Sequence, residues 1–196
     1  MTEVILTIKR DDDPASPLEW DRLGVMACWH GRGNFGDVQP KDPPGVYKKD
    51  NVPEGSVELP LFLFDHSGYT ISTDSSQFRA ADSHGWDWGQ LGFIYCTPDK
   101  IRSEYSCQEI TPEIVEKVKE ALRGEVKDYN SYLQGSIWGY ILKRAKPACK
   151  ECGHVEYKED SCWGFFGDTL EETGLLTEIT GVNKSVIEEA WERRQG

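Results

Sequence analysis

Two short loops concentrate the side chains best suited to chemistry: Asp65-His66-Ser67-Gly68 and Trp86-Asp87-Trp88-Gly89-Gln90. With Asp160-Ser-Cys162-Trp163-Gly164 further on, they offer carboxylates, imidazole, hydroxyl, thiol, amide and indole groups between apolar runs. A nucleophilic enzyme could use Cys162 or Ser67 as nucleophile, His66 as base and Asp65 or Asp87 to orient the imidazole. That chemistry needs the imidazole within hydrogen-bond reach of sulfur or hydroxyl, and neighbouring strand residues point to opposite faces. Neither a nucleophile elbow nor a catalytic-cysteine signature is present, so no catalytic residue is assigned. A binding site asks less of the same groups. Flat indoles beside donors and acceptors suit a small polar aromatic ligand or a protein hot spot. The expected ligand-binding set is Asp65, His66, Ser67, Trp86, Asp87, Trp88, Gln90, Cys162 and Trp163, unless the tryptophans serve the core.

Cys149-x-x-Cys152-Gly-His154 has the form of half a zinc knuckle. A structural zinc takes four sulfur or nitrogen ligands, and His154 and Cys162 are the candidates to join Cys149 and Cys152. The alternative is a pair of free thiols in an exposed hairpin, since no second C-x-x-C exists. If zinc binds, it pins that hairpin and does no catalysis. Asp11-Asp12-Asp13-Pro14 lacks the alternating carboxylate spacing of a calcium loop. GRGNFG, residues 31–36, has the wrong spacing for a dinucleotide fingerprint and precedes no helical pattern.

The elements that must position these groups follow from periodicity. Residues 3–8, 25–29, 57–65, 69–73, 91–96 and 135–142 read as strands. In residues 57–65 leucines and phenylalanines fill both faces, the pattern of a central strand covered twice. Asp65 to Gly68 turns this strand into the next, because glycine permits the backbone a turn requires. Thr97-Pro98 opens a short helix to Tyr105, and Thr111-Pro112 opens the one long helix, to about Leu133. In the latter Ile114, Val118, Leu122, Val126, Tyr129 and Leu133 form a single apolar stripe. Residues 31–56 read as continuous loop. Asp168 with Glu171 suggests a capped helix to about Ile179, and a last helix starts near Asn183.

A chain of 196 residues fits one domain of ordinary size. The expectation is a single α+β domain: a mostly antiparallel sheet of five or six strands, the long helix packed on it, and two C-terminal helices. Within it, 57–145 would be the central hairpin and long helix, 146–160 a cysteine-containing hairpin insertion, and 168–196 the C-terminal helices. A formal net charge of −12 argues against direct nucleic-acid binding, whose energy comes from Lys and Arg displacing counterions. It fits solubility, attraction of basic partners or imitation of a nucleic acid. The start of the chain has no basic region before a short apolar run, and 18 apolar residues never follow one another. The expectation is a cytoplasmic protein without membrane contact, whose six cysteines are thiols or metal ligands.

Four ordered segments carry a resemblance: DDDPASPLEWDRLGVMACWH, LPLFLFDHSGYTIST, WDWGQLGFIYCTPDKIRSEY and DSCWGFFG. Across most of residues 11–167 the chain resembles a family of uncharacterised proteins carried by bacteriophages and other mobile elements. Taken together with the acidic charge and the absence of a catalytic signature, the resemblance favours an accessory protein that acts by binding, inhibiting or sequestering a component of host antiviral defence in the host cytoplasm. Its partner would be a host protein or a small nucleotide-like ligand. The alternatives are an acidic nucleic-acid mimic and a small hydrolase using Cys162 and His66.

Overall fold

Among the described residues seven strands form, six of them from apolar runs and the last from a polar segment, and these pair antiparallel in two sheets rather than one. The computed structural model describes residues 3–194. In chain order it contains β1 (Val4–Arg10), a 3-10 turn (Pro17–Glu19), β2 (Val25–Cys28), α1 (Pro44–Asn51), β3 (Val57–Asp65), β4 (Tyr69–Ser72), α2 (Ser76–Ala81) and β5 (Trp88–Cys96). There follow α3 (Pro98–Glu104), α4 (Pro112–Gln134), β6 (Ile137–Ala145), β7 (Tyr157–Phe166), α5 (Leu170–Thr173), α6 (Leu175–Glu178) and α7 (Lys184–Glu192). The fold class is α+β, with sheets of three and four strands. The chain divides into two compact units: residues 16–134 form one, and residues up to 15 join those from 135 onward in the other.

In the unit of residues 16–134 the sheet order is β2-β5-β3-β4. Strand β3 lies inside it, as its two apolar faces require. One face meets α4: Met26, Leu61, Leu63 and Ile94 pack with Val118, Leu122, Val126 and Tyr129. Alternation sends Ala27, Phe93 and Tyr95 to the opposite face, where Trp29 and Tyr47 partly cover them. Further along that face Phe64 stacks on Phe78 of α2, with ring centroids 5.5 Å apart. Strands β2 and β5 approach so closely at Gly92 that an added Cβ would lie 2.0 Å from the Ala27 carbonyl oxygen. Buried charge ties α4 to the entry of β2. Glu125 accepts hydrogen bonds from the backbone of Leu23 at 2.6 Å and Gly24 at 3.0 Å, while Arg22 pairs with Asp37. Burial pushes the Glu125 carboxyl above its ordinary range, against the backbone bonds and Arg22, which pull the other way.

The other unit has the order β1-β6-β7. The first strand of the chain pairs with a strand more than a hundred residues later, Val4 facing Arg144 and Arg10 facing Trp138. Ile8, Trp138, Tyr140 and Leu142 pack with Leu170, Leu175, Ile179, Ile187 and Ala190 of the C-terminal segment. The Trp138 indole N–H donates to the Gly167 carbonyl at 3.0 Å, so the buried ring leaves no polar atom unsatisfied.

Several sequence expectations are corrected here. Residues 31–56 are not continuous loop, because Pro43-Pro44 starts α1, whose residues are all exposed or half-buried and carry no apolar stripe. Trp88, Gly89 and Gln90 belong to β5 rather than to the loop before it. Asp160 to Gly164 lies within β7, not at a strand end. The helix after Gly167 is capped by Thr169, whose hydroxyl and Glu172 form a reciprocal capping box. That helix stops at Gly174, where φ is 71°, and α6 begins anew.

Candidate functional site

The two polar loops foreseen in the sequence stand side by side because the register of β3, β4 and β5 puts them there. Phe64 faces Trp88 across β3 and β5, and the backbone N–H of Asp65 donates to the Asp87 carbonyl at 2.7 Å. The tight turn into β4 needs a left-handed backbone at Ser67, with φ of 60°, and leaves Gly68 at 149°. It presents His66, whose Nδ1 lies 2.9 Å from Asp87 Oδ2. The two loops are therefore joined by backbone and side chain together.

Asp82 organises the second loop. One carboxylate oxygen accepts the backbone N–H groups of His84 at 3.0 Å and Gly85 at 3.2 Å, and the other accepts that of Asp87 at 2.9 Å. These donors, Asp87 foremost, hold the Asp82 carboxyl below its usual range. The Asp82 carbonyl takes the Trp88 indole N–H at 2.8 Å, while Arg79 and Phe62 lie against that ring, 5.8 Å and 6.4 Å from it. Trp88 is thus a structural wall. Trp86, two residues earlier, is 86% exposed.

Together these loops and the segment after β2 line a cleft of about 210 Å³. Asp65, Trp86, Asp87, Trp88 and Gln90 line it as expected, and His66 joins through its bond to Asp87. Ser67 shapes the turn and is not a lining residue. Trp29, His30 and Arg32 complete the wall, and the sequence reading missed them. Their signal is the register: β2 runs antiparallel to β5 with Cys28 opposite Gly92, so the chain leaving β2 passes the start of β5. Trp29 is fixed by its backbone N–H donating to Leu91 at 2.8 Å and its indole N–H to Asp42 at 2.8 Å. His30 accepts the Gly33 N–H at 3.0 Å, and its ring meets Phe35 edge-on at 5.1 Å. Arg32, with a side chain 85% exposed and 3.9 Å from Asp65, supplies the cation at the rim.

Cys162 and Trp163 lie in the other unit, in mid-strand β7 opposite Tyr140 and Gly139. The Trp163 ring lies over Gly139, where a Cβ would come within 2.1 Å of it. Cys149 and Cys152 are exposed free thiols in the β6–β7 connection, and His154 is exposed there too. Among the described residues no three His, Cys, Asp or Glu side chains gather so as to hold a metal ion.

The cleft therefore combines an open indole, two indoles fixed by hydrogen bonds, a histidine–aspartate pair and one exposed guanidinium. Such a set can stack on a planar ring and pair with polar or anionic groups at its edge. Among the described residues no helix is long and apolar enough to cross a membrane. No protein-family model, curated protein or solved structure matches the chain.

Proposed function

We propose that the protein acts by binding, and that the cleft between the 65–68 and 86–90 segments takes a small, planar, polar ligand of nucleotide-like chemistry. The observation that carries this reading is the concave meeting of Trp86, Trp29 and Arg32 with Asp65, Asp87 and Gln90. Stacking on an indole is worth roughly 1–3 kcal/mol per base, and a guanidinium at the rim favours an anionic group. Sequestration of such a ligand from a host defence pathway by a mobile-element accessory protein is the wider role. It is supported by the resemblance in four ordered motifs. Isothermal titration with purine and pyrimidine nucleoside monophosphates tests the reading. Saturable 1:1 binding, weakened in both Trp86→Ala and Arg32→Ala, is the expected result. Heat-silent titrations across the panel, repeated with the same outcome by equilibrium dialysis, would reject it.

A hydrolase reading keeps one supporting observation, the His66–Asp87 pair, in which Asp87 engages Nδ1 and leaves Nε2 for a proton transfer. Its signature would be turnover of a phosphoester or thioester that disappears in His66→Ala. Binding without turnover decides against it.

A further inference from the structure

Several polar groups that line the cleft are already engaged within the protein. The indole N–H groups of Trp29 and Trp88 go to the Asp42 and Asp82 carbonyls, each at 2.8 Å. The Gln90 side-chain amide donates to the Gly92 carbonyl at 3.3 Å, which leaves its oxygen as an acceptor. One Asp87 oxygen is held by His66 Nδ1 at 2.9 Å. Asp65 differs. It lines the cleft with a carboxylate whose ion partner, the exposed Arg32 guanidinium, stands 3.9 Å away, beyond hydrogen-bond length. Both Asp65 oxygens are therefore open to a ligand, beside a guanidinium that still has N–H groups to give.

Side by side, Arg32 and Asp65 present a donor and a pair of acceptors. A planar ring that stacks on Trp86 and meets this pair must carry the complementary pattern, an acceptor next to two adjacent donors. Among the common nucleobases guanine alone carries it. Its O6 accepts, and its ring N1–H and 2-amino group donate in parallel, which suits a carboxylate as a bidentate, charge-assisted partner. Adenine sets the acceptor nitrogen N1 beside its amine, and cytosine does the same with N3, so each would turn a lone pair towards the Asp65 carboxylate. Uracil and hypoxanthine offer a single ring donor on this edge.

We propose that the cleft selects guanine, with Asp65 receiving N1–H and the 2-amino group, Arg32 donating to O6 and Trp86 stacking on the ring. This selectivity rests on the proposed binding of a planar, nucleotide-like ligand in the same cleft.

Calorimetric titration of the full chain with the monophosphates of guanosine, inosine, adenosine and cytidine, at one ionic strength, varies the base and keeps the phosphate constant. Guanosine monophosphate should bind most tightly. Inosine monophosphate lacks only the 2-amino group and should bind roughly 5- to 150-fold more weakly, the discrimination that a bidentate pair supplies. This comparison needs no variant. Asp65→Asn keeps the side-chain shape and exchanges an acceptor for a donor. It should erase the preference for guanosine over inosine monophosphate and favour xanthosine monophosphate, which has a carbonyl at the 2-position, a gain that damage to the fold cannot produce. Equal affinity across the panel, or a guanosine preference that persists in Asp65→Asn, would overturn the assignment and leave the planar-ligand reading standing. Absence of binding by every nucleotide would remove both.

Discussion

Two tryptophans two residues apart have different work. The indole N–H of Trp88 is committed to the Asp82 carbonyl and its ring to Arg79 and Phe62, whereas Trp86 is open to solvent. Trp86→Ala should therefore weaken ligand binding by about 1–3 kcal/mol, roughly 5- to 150-fold, and leave thermal stability unchanged. Trp88→Ala should lower stability by roughly 1–3 kcal/mol in denaturant unfolding, because it removes packing and leaves an acceptor unpaired. Asp82 gives the site a pH dependence. Its folded carboxyl titrates below the ordinary 3.8, so its hold on the loop is complete above that value and is lost as pH falls through the depressed one. Tryptophan fluorescence should report loosening of the loop only in strong acid. In Asp82→Asn the acid transition should vanish, with the loop already loosened at neutral pH. The sequence showed the aspartates and indoles as a dense polar loop. It could not show which of them face solvent, because that choice is made by Phe62, Arg79 and the β3–β5 register.

At the scale of elements, periodic signals were legible where one face is buried and the other wet. The stripe on α4 is buried at Val118, Leu122, Val126 and Tyr129, and the cap at Thr97 lies at a helix start, while the cap read at Asp168 falls one residue later on Thr169. Leu122 is fully buried in the larger core, and Leu122→Ala should cost about 2–5 kcal/mol in chemical denaturation. Elements without such contrast were hidden. Helix α1 buries none of its residues, and β7 is an edge strand whose polar side chains made it look like a loop. Glycine carried information that composition alone does not reveal. Gly139→Ala should displace the Trp163 ring that covers it and lower the melting temperature, whereas Gly89→Ala, with open space around it, should not.

For the molecule as a whole, antiparallel α+β architecture followed from short apolar runs and one amphipathic helix. The division into two units did not, because the unit holding β1, β6 and β7 is discontinuous in sequence and no compositional break marks it. Its sheet is closed by pairing Val4–Arg10 with residues 138–144, a contact that only three-dimensional register specifies. The net charge of −12 bears on the choice between ligand capture and imitation of a nucleic acid. Capture at one guanidinium predicts affinity that changes modestly with ionic strength, while charge imitation predicts a steep fall in target binding with salt. The most direct measurement uses the seven indole N–H resonances of the chain as position markers during titration with a nucleoside monophosphate. The proposed cleft predicts saturable shifts at Trp86, Trp88 and Trp29, while Trp138, Trp163 and Trp191 stay fixed. Shifts confined to the latter three, or none at saturating ligand, would contradict it.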